Sequence, residues 1–101
     1  MNEFNLKELE KLFQKLLFIL DKHGDGTIKI QKRIVKNTLD IIRSDMSDYK
    51  KVIKVKKNYQ NLYPARGGLS EFYIWRDNFE ERKRLNEPLD KIRERLWQIF
   101  K

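Results

Sequence analysis

Apolar residues at Leu9, Leu12, Phe13, Leu16, Leu17 and Leu20 recur at intervals of three and four, the spacing of one helix face. Lys7, Glu8, Lys11 and Lys15 take the opposite face, so the pattern predicts a helix over about residues 3–22. The run Asp21-Lys22-His23-Gly24-Asp25-Gly26-Thr27 ends it, with Gly24 placed to cap its C-terminus and the two glycines expected to supply left-handed backbone. Ile30, Ile34, Val35, Leu39, Ile41 and Ile42 predict a second helix over about 28–45, with Thr27 as its N-cap. Val52, Val55, Tyr59 and Leu62 step by three, four and three, and Ser47 can cap a third helix over about 48–62. Asp48 adds favourable charge to its first turn. Pro64 and Gly67-Gly68 then break the chain.

Residues 69–79 hold Leu69, Phe72, Tyr73, Ile74, Trp75 and Phe79 without a helical period. A lone strand would have no partner elsewhere in the sequence, so this stretch reads as an ordered loop or turn packed on the helices. Leu85, Leu89, Ile92, Leu96 and Ile99 return to helical spacing. Asn86 as N-cap and Pro88 in the first turn place the start of a last helix near residue 87, with 79–85 as a short helical lead-in. The expected architecture is an all-α bundle of about four helices with short loops and one aromatic-rich ordered loop. A chain of 101 residues without a long Pro/Gly/Ser linker fits a single helical domain, 1–101, with a radius of gyration of roughly 13 Å.

Charge changes the picture. The net charge is +8, and it is unevenly spread. Residues 28–69 hold eleven Lys and Arg against three Asp, so the middle of the chain carries the whole excess. That favours an anionic partner: nucleic acid, an acidic protein face or a membrane surface. Lys50, Lys54 and Lys57 lie at i, i+4 and i+7, one stripe of the third helix, beside Lys51 and Lys56. Lys29, Lys32, Arg33 and Lys36 form a second basic cluster on the second helix. If these two helices pack as a hairpin, one broad positive surface results. The alternative is a solvated surface that serves solubility alone.

Several chemistries are excluded or disfavoured. Without cysteine there is no disulfide scaffold, thiol nucleophile or Cys-based zinc site. A single histidine removes any multi-His metal site. The longest apolar run, Leu16 to Leu20, is too short to span a bilayer. The first residues lack a basic segment followed by an apolar one, so no secretory signal is expected and the protein reads as cytoplasmic. Counting Asp21 as position one of a calcium loop puts Gly26 and Ile28 in register, but position twelve is Lys32 where a bidentate Glu is needed. A two-glycine turn explains the same residues. His23 sits beside Asp21 and Asp25, which would raise its pKa, yet no nucleophile or second acid accompanies it. The acid pairs Asp45/Asp48 and Glu80/Glu81 read as helix-terminal or solvated charge. No catalytic residue, cofactor, metal or small-molecule substrate is expected.

The best binding candidate by residue type is Trp75 with Tyr73, Phe72 and Arg76, since Trp, Tyr and Arg dominate protein–protein hot spots. The alternative is that the aromatics close the end of the core. Tyr73, Trp75 and Arg76, with Lys50, Lys51, Lys54, Lys57 and Arg66 of the lone Arg66-Gly67-Gly68 turn, make the candidate partner-binding set.

Around the two glycine turns the chain resembles a small all-helical bacterial family. The resemblance is carried by Leu16 to Thr27, by Leu62-Tyr63 with Gly67-Gly68-Leu69-Ser70, and by Phe72 to Trp75. Some proteins of this kind look like immunity proteins of polymorphic-toxin or contact-dependent inhibition systems. The resemblance implies a non-enzymatic antitoxin that binds a cognate toxin domain and blocks it. The competing expectation is a basic helical module that grips nucleic-acid phosphates without reading sequence.

Overall fold

The computed structural model describes residues 5–24, 26–63, 68–70 and 72–101. Among these residues there are four α-helices: α1 (Leu6–His23), α2 (Lys29–Arg43), α3 (Asp48–Asn61) and α4 (Phe79–Phe100). Two 3₁₀ turns, Gly26–Ile28 and Gly68–Ser70, join them, and no strand occurs among the described residues. The all-α bundle of four helices expected from the pattern is what forms. Among the described residues no helix is long and apolar enough to cross a membrane.

α1 is the central element, packing on α2 along one side and α4 along the other. Its apolar stripe buries Leu9, Phe13, Leu16 and Leu20 completely, and burying such side chains is worth roughly 1.5–3 kcal/mol each. Asn5 caps it by accepting from the Glu8 N–H at 3.0 Å. Ion pairs mark the helix directions. Glu10 meets Arg43 and Asp21 meets Lys32, so α2 runs antiparallel to α1. Lys32, which occupies the bidentate position of the calcium-like loop, thus neutralises that loop's first carboxylate at 2.8 Å.

α2 and α3 form the hairpin that joins the two basic clusters. Thr38 is fully buried and donates to the Ile34 carbonyl at 2.8 Å. The Asn58 amide crosses from α3 and donates to both Thr38 Oγ1 and Asn37 Oδ1 at 3.0 Å. Ser47 caps α3 as expected, accepting from the Lys50 N–H. The C-terminal ends of α3 and α4 meet where the Tyr59 and Phe100 rings stack, 4.4 Å apart. The radius of gyration is 13.9 Å and the longest dimension 46 Å, so the bundle is elongated relative to a sphere of this chain length.

Four expectations are corrected. Gly24 caps α1 in extended backbone (φ −76°, ψ 153°), and among the described glycines only Gly68 has positive φ, at 74°. Gly24 is needed for space: a Cβ there would collide with the Leu20 carbonyl oxygen and the Ile28 side chain. Thr27 does not cap α2; it falls inside the first 3₁₀ turn, and Ile28 occupies the N-cap without a side-chain hydrogen bond. The last helix does not start at residue 87. It begins at Phe79, capped by Asn78 Oδ1 accepting from the Glu81 N–H at 2.9 Å, and runs through Pro88. Pro88 removes the bond to the Arg84 carbonyl, but it lies on an exposed part of the helix where water can take that acceptor. The fourth correction concerns His23 and belongs to the surface described next.

Candidate partner-binding surface

The aromatic loop is an ordered strap laid across α4. Phe72 and Ile74 point inward and are buried, while Tyr73 and Trp75 alternate outward and are 52% and 63% exposed. That period of two belongs to a strand. Its partner is a side chain. Asn86 is buried on α4 and clamps the Ile74 peptide at both ends: Oδ1 accepts from the Ile74 N–H at 2.9 Å, and Nδ2 donates to the Ile74 carbonyl at 2.8 Å. Nδ2 also donates to the Arg82 carbonyl at 2.8 Å. Arg93 holds the other end of the strap, donating to the Leu69 and Phe72 carbonyls. Buried backbone groups are thereby satisfied without a sheet.

Over this strap the exposed rings of Trp75 and Phe79 flank a half-buried Arg82. The Arg82 guanidinium lies 4.5 Å from the Trp75 ring centroid and 5.4 Å from that of Phe79. Arg82 Nη1 also donates to the Arg76 carbonyl at 3.1 Å, and Arg76 Nη1 to the Trp75 carbonyl at 2.7 Å. Glu81 stands 3.4 Å from Arg76 Nε. Phe79 is 61% exposed. These rings are therefore both exposed and held. Such side chains lose little conformational freedom when a partner covers them.

Of the sequence candidates here, Tyr73, Trp75 and Arg76 all face solvent and Phe72 enters the core. Arg82 and Phe79 complete the cluster and were not singled out from the sequence. Their signal is the spacing of Trp75, Phe79 and Arg82, which closes only once α4 starts at Phe79. Arg66 lies outside the described residues.

The second part is the lysine face. Lys50, Lys54 and Lys57 are exposed on α3, and Lys51 is half-buried at the edge of the hairpin seam. Six ion pairs occur among the described residues, and none uses a lysine of α3. On α2, Lys29, Arg33 and Lys36 are likewise exposed and outside those pairs. The Asn58–Asn37 bond ties the two helices, so both cationic clusters lie on one hairpin.

His23 corrects the expectation of a raised pKa. Burial disfavours its charged form, and the Arg76 and Lys22 cations act in the same direction, so its pKa is lowered. Of the two carboxylates expected to act on it, Asp21 is engaged by Lys32 and Asp25 lies outside the described residues. Tyr63, partly buried beside Tyr59, is pushed up to about 12 by desolvation, so it stays a neutral phenol through the physiological range.

Comparison with protein-family models, curated proteins and solved structures finds no match to this chain.

Proposed function

We propose that this chain is a non-catalytic binding protein of the immunity type, which covers one bacterial toxin domain and blocks it by steric and electrostatic occlusion. The observation that carries the reading is the Trp75–Arg82–Phe79 stack, whose exposed rings are held rigid on a strap that Asn86 and Arg93 fix. Surface aromatics cost a lone protein solubility, and ordering them in advance favours tight docking. The lysine face adds a field that draws in an acidic surface and speeds encounter. Occlusion needs no group that makes or breaks bonds.

The test is co-expression. A toxic domain encoded immediately upstream is induced in a naive bacterial host, with and without this protein. Growth arrest relieved only by this protein, with a one-to-one complex on a sizing column, supports the reading. Toxicity that persists beside the expressed protein, or a domain that is not toxic, rejects it.

A second reading rests on the α3 lysines with Lys29 and Lys36 of α2, which form no ion pair among the described residues. They would contact phosphates of a nucleic acid without reading bases. Binding to duplex or RNA at about 50 mM salt that falls steeply as salt rises would favour it.

A further inference from the structure

A groove runs between α1 and α4; its His23 end lies near Arg76 of the strap, and no α3 lysine lines it. Two adjoining depressions form it, of about 300 Å³ and 330 Å³, and they share Lys15, Pro88 and Ile92. Its apolar surface comes from Leu12, Ile19, Leu85, Pro88 and Ile92, with Phe18 as an outer wall. Phe18 is 65% exposed, although a phenylalanine gains most from burial. From Leu12 to His23 the groove follows α1 for about 16 Å, or three helical turns. Its charged lining is one-signed: Lys15, Lys22, Lys91 and Arg95 border it, and among the described residues no carboxylate does. Lys91 and Arg95 are matched by Glu87 and Glu8, which leaves Lys15 and Lys22 without an ion pair among the described residues. Lys22 rests 5.9 Å from the Phe18 centroid, placing a cation beside the exposed ring.

We infer that this groove receives one amphipathic helix of a protein partner, apolar on the face that enters and acidic along its flanks. The inference rests on the reading that the chain binds a protein, and it specifies the partner's contact segment. An apolar floor about three turns long suits anchors at i, i+3 or i+4, and i+7 of a helix laid into it. The cationic rim requires acidic flanks. A second copy of this chain does not meet the requirement. Among the described residues its exposed large apolar helix positions are Phe18, Ile30, Tyr49, Ile53, Phe79 and Trp97, and no one helix sets three of them at i, i+3 or i+4, and i+7; the closest pair, Tyr49 and Ile53, is flanked by Lys50 and Lys54, which would meet the rim with like charge. A small aliphatic acid fits less well, because such ligands are mostly enclosed by their sites, and here the Phe18 wall stands open to solvent. Nucleic acid would gain nothing from the apolar floor.

The test uses the full-length protein and a fluorescent, side-chain-stapled helical peptide of about four turns, with Leu at the three anchor positions and Glu on both flanks. Two comparator peptides carry Ser at the anchors or Lys on the flanks. The expected result is saturable binding of the Leu/Glu peptide, with either comparator at least about tenfold weaker. Phe18→Ala and, separately, Lys15→Glu with Lys22→Glu should each weaken that binding about tenfold. All three positions are exposed, so the fold should persist in both variants, as far-UV circular dichroism checks. If one variant fails to fold, the other decides. No saturable binding, equal binding of the Ser-anchor peptide, or undiminished binding by the folded variants would overturn the inference. Trp75→Ala separates this outcome from the functional reading. Toxin neutralisation that is lost with Trp75→Ala and kept with Phe18→Ala and the Lys15/Lys22 pair would leave the functional reading standing and remove the groove. Peptide binding at the groove without any toxin neutralisation would do the reverse.

Discussion

Asn86 spends its whole side-chain amide on backbone, with two bonds to Ile74 and one to the Arg82 carbonyl. Asn86→Ala would strand the Ile74 N–H and C=O in a buried place, where each unsatisfied group costs about 1–3 kcal/mol. The expected loss is about 2–4 kcal/mol in a urea unfolding titration, with faster proteolysis within 72–78. A loss below about 0.5 kcal/mol would contradict the assigned role. His23 supplies a pH prediction. Its pKa is lowered from 6.5 in the fold, so below about pH 6.5 the unfolded chain binds more protons than the folded one. Its contribution is complete above that pH and is lost as pH falls toward the lower folded value. His23→Gln should therefore flatten the decline of the urea midpoint between about pH 7 and pH 5.5. An unchanged slope would show that burial and the Arg76 and Lys22 charges do not act on the ring. Neither role was legible in the sequence. Asn86 two residues before a proline carries a strong local helix-start signal, and His23 has two acids near it in the chain. In both cases a distant segment won: the strap claimed the Asn86 amide, and Lys32 claimed Asp21 while Arg76 came to His23.

At the scale of elements, α1 was legible from its periodicity and α3 from cap and periodicity together. Ser47 caps α3 as the sequence predicts, whereas the Asn5 cap of α1 falls inside the span the pattern suggests. The three-and-four spacing buries Leu9, Phe13, Leu16 and Leu20 on α1 and Val55 and Leu62 at α3, with Leu12, Leu17, Val52 and Tyr59 half-buried. The strap was legible only in part. Its in–out alternation is present in the sequence, but a strand with no second strand looked unsupported, and a side-chain amide as its partner leaves no mark in local composition. α4 was split because Pro88 can either open a helix or sit on its exposed side, and only packing chooses. The lysines of α3 carry the prediction proper to this scale. Lys50 and Lys54 repel at i, i+4, and Lys54 and Lys57 at i, i+3. Lys51 adds a third at i−3, and replacing these repulsions with attractions by Lys54→Glu should stabilise the fold by roughly 0.5–1 kcal/mol at low salt. The gain should shrink as sodium chloride is added, while the unaltered protein becomes more stable. A lower melting temperature for Lys54→Glu at low salt would mean that Lys54 has a structural partner within the fold.

The whole molecule separates its surfaces. The aromatic stack projects from the strap and the start of α4, the unneutralised lysines lie on the α2–α3 hairpin, and the apolar groove follows α1 and α4. The shared core of all four helices holds them in fixed relation, and the elongated 46 Å body presents more surface than a sphere of this chain length would. Composition announced the charge but not its freedom from partners, because ion pairing depends on which helices meet. Arrangement of this kind suits a protein that acts by covering another. The affinity of the purified chain for the domain it neutralises, measured for the unaltered protein and for Trp75→Ala, tests that most directly. The account predicts a loss of at least about 30-fold for Trp75→Ala, as expected for an anchor worth 2 kcal/mol or more, carried mainly by faster dissociation. Equal affinity for the two proteins would contradict it.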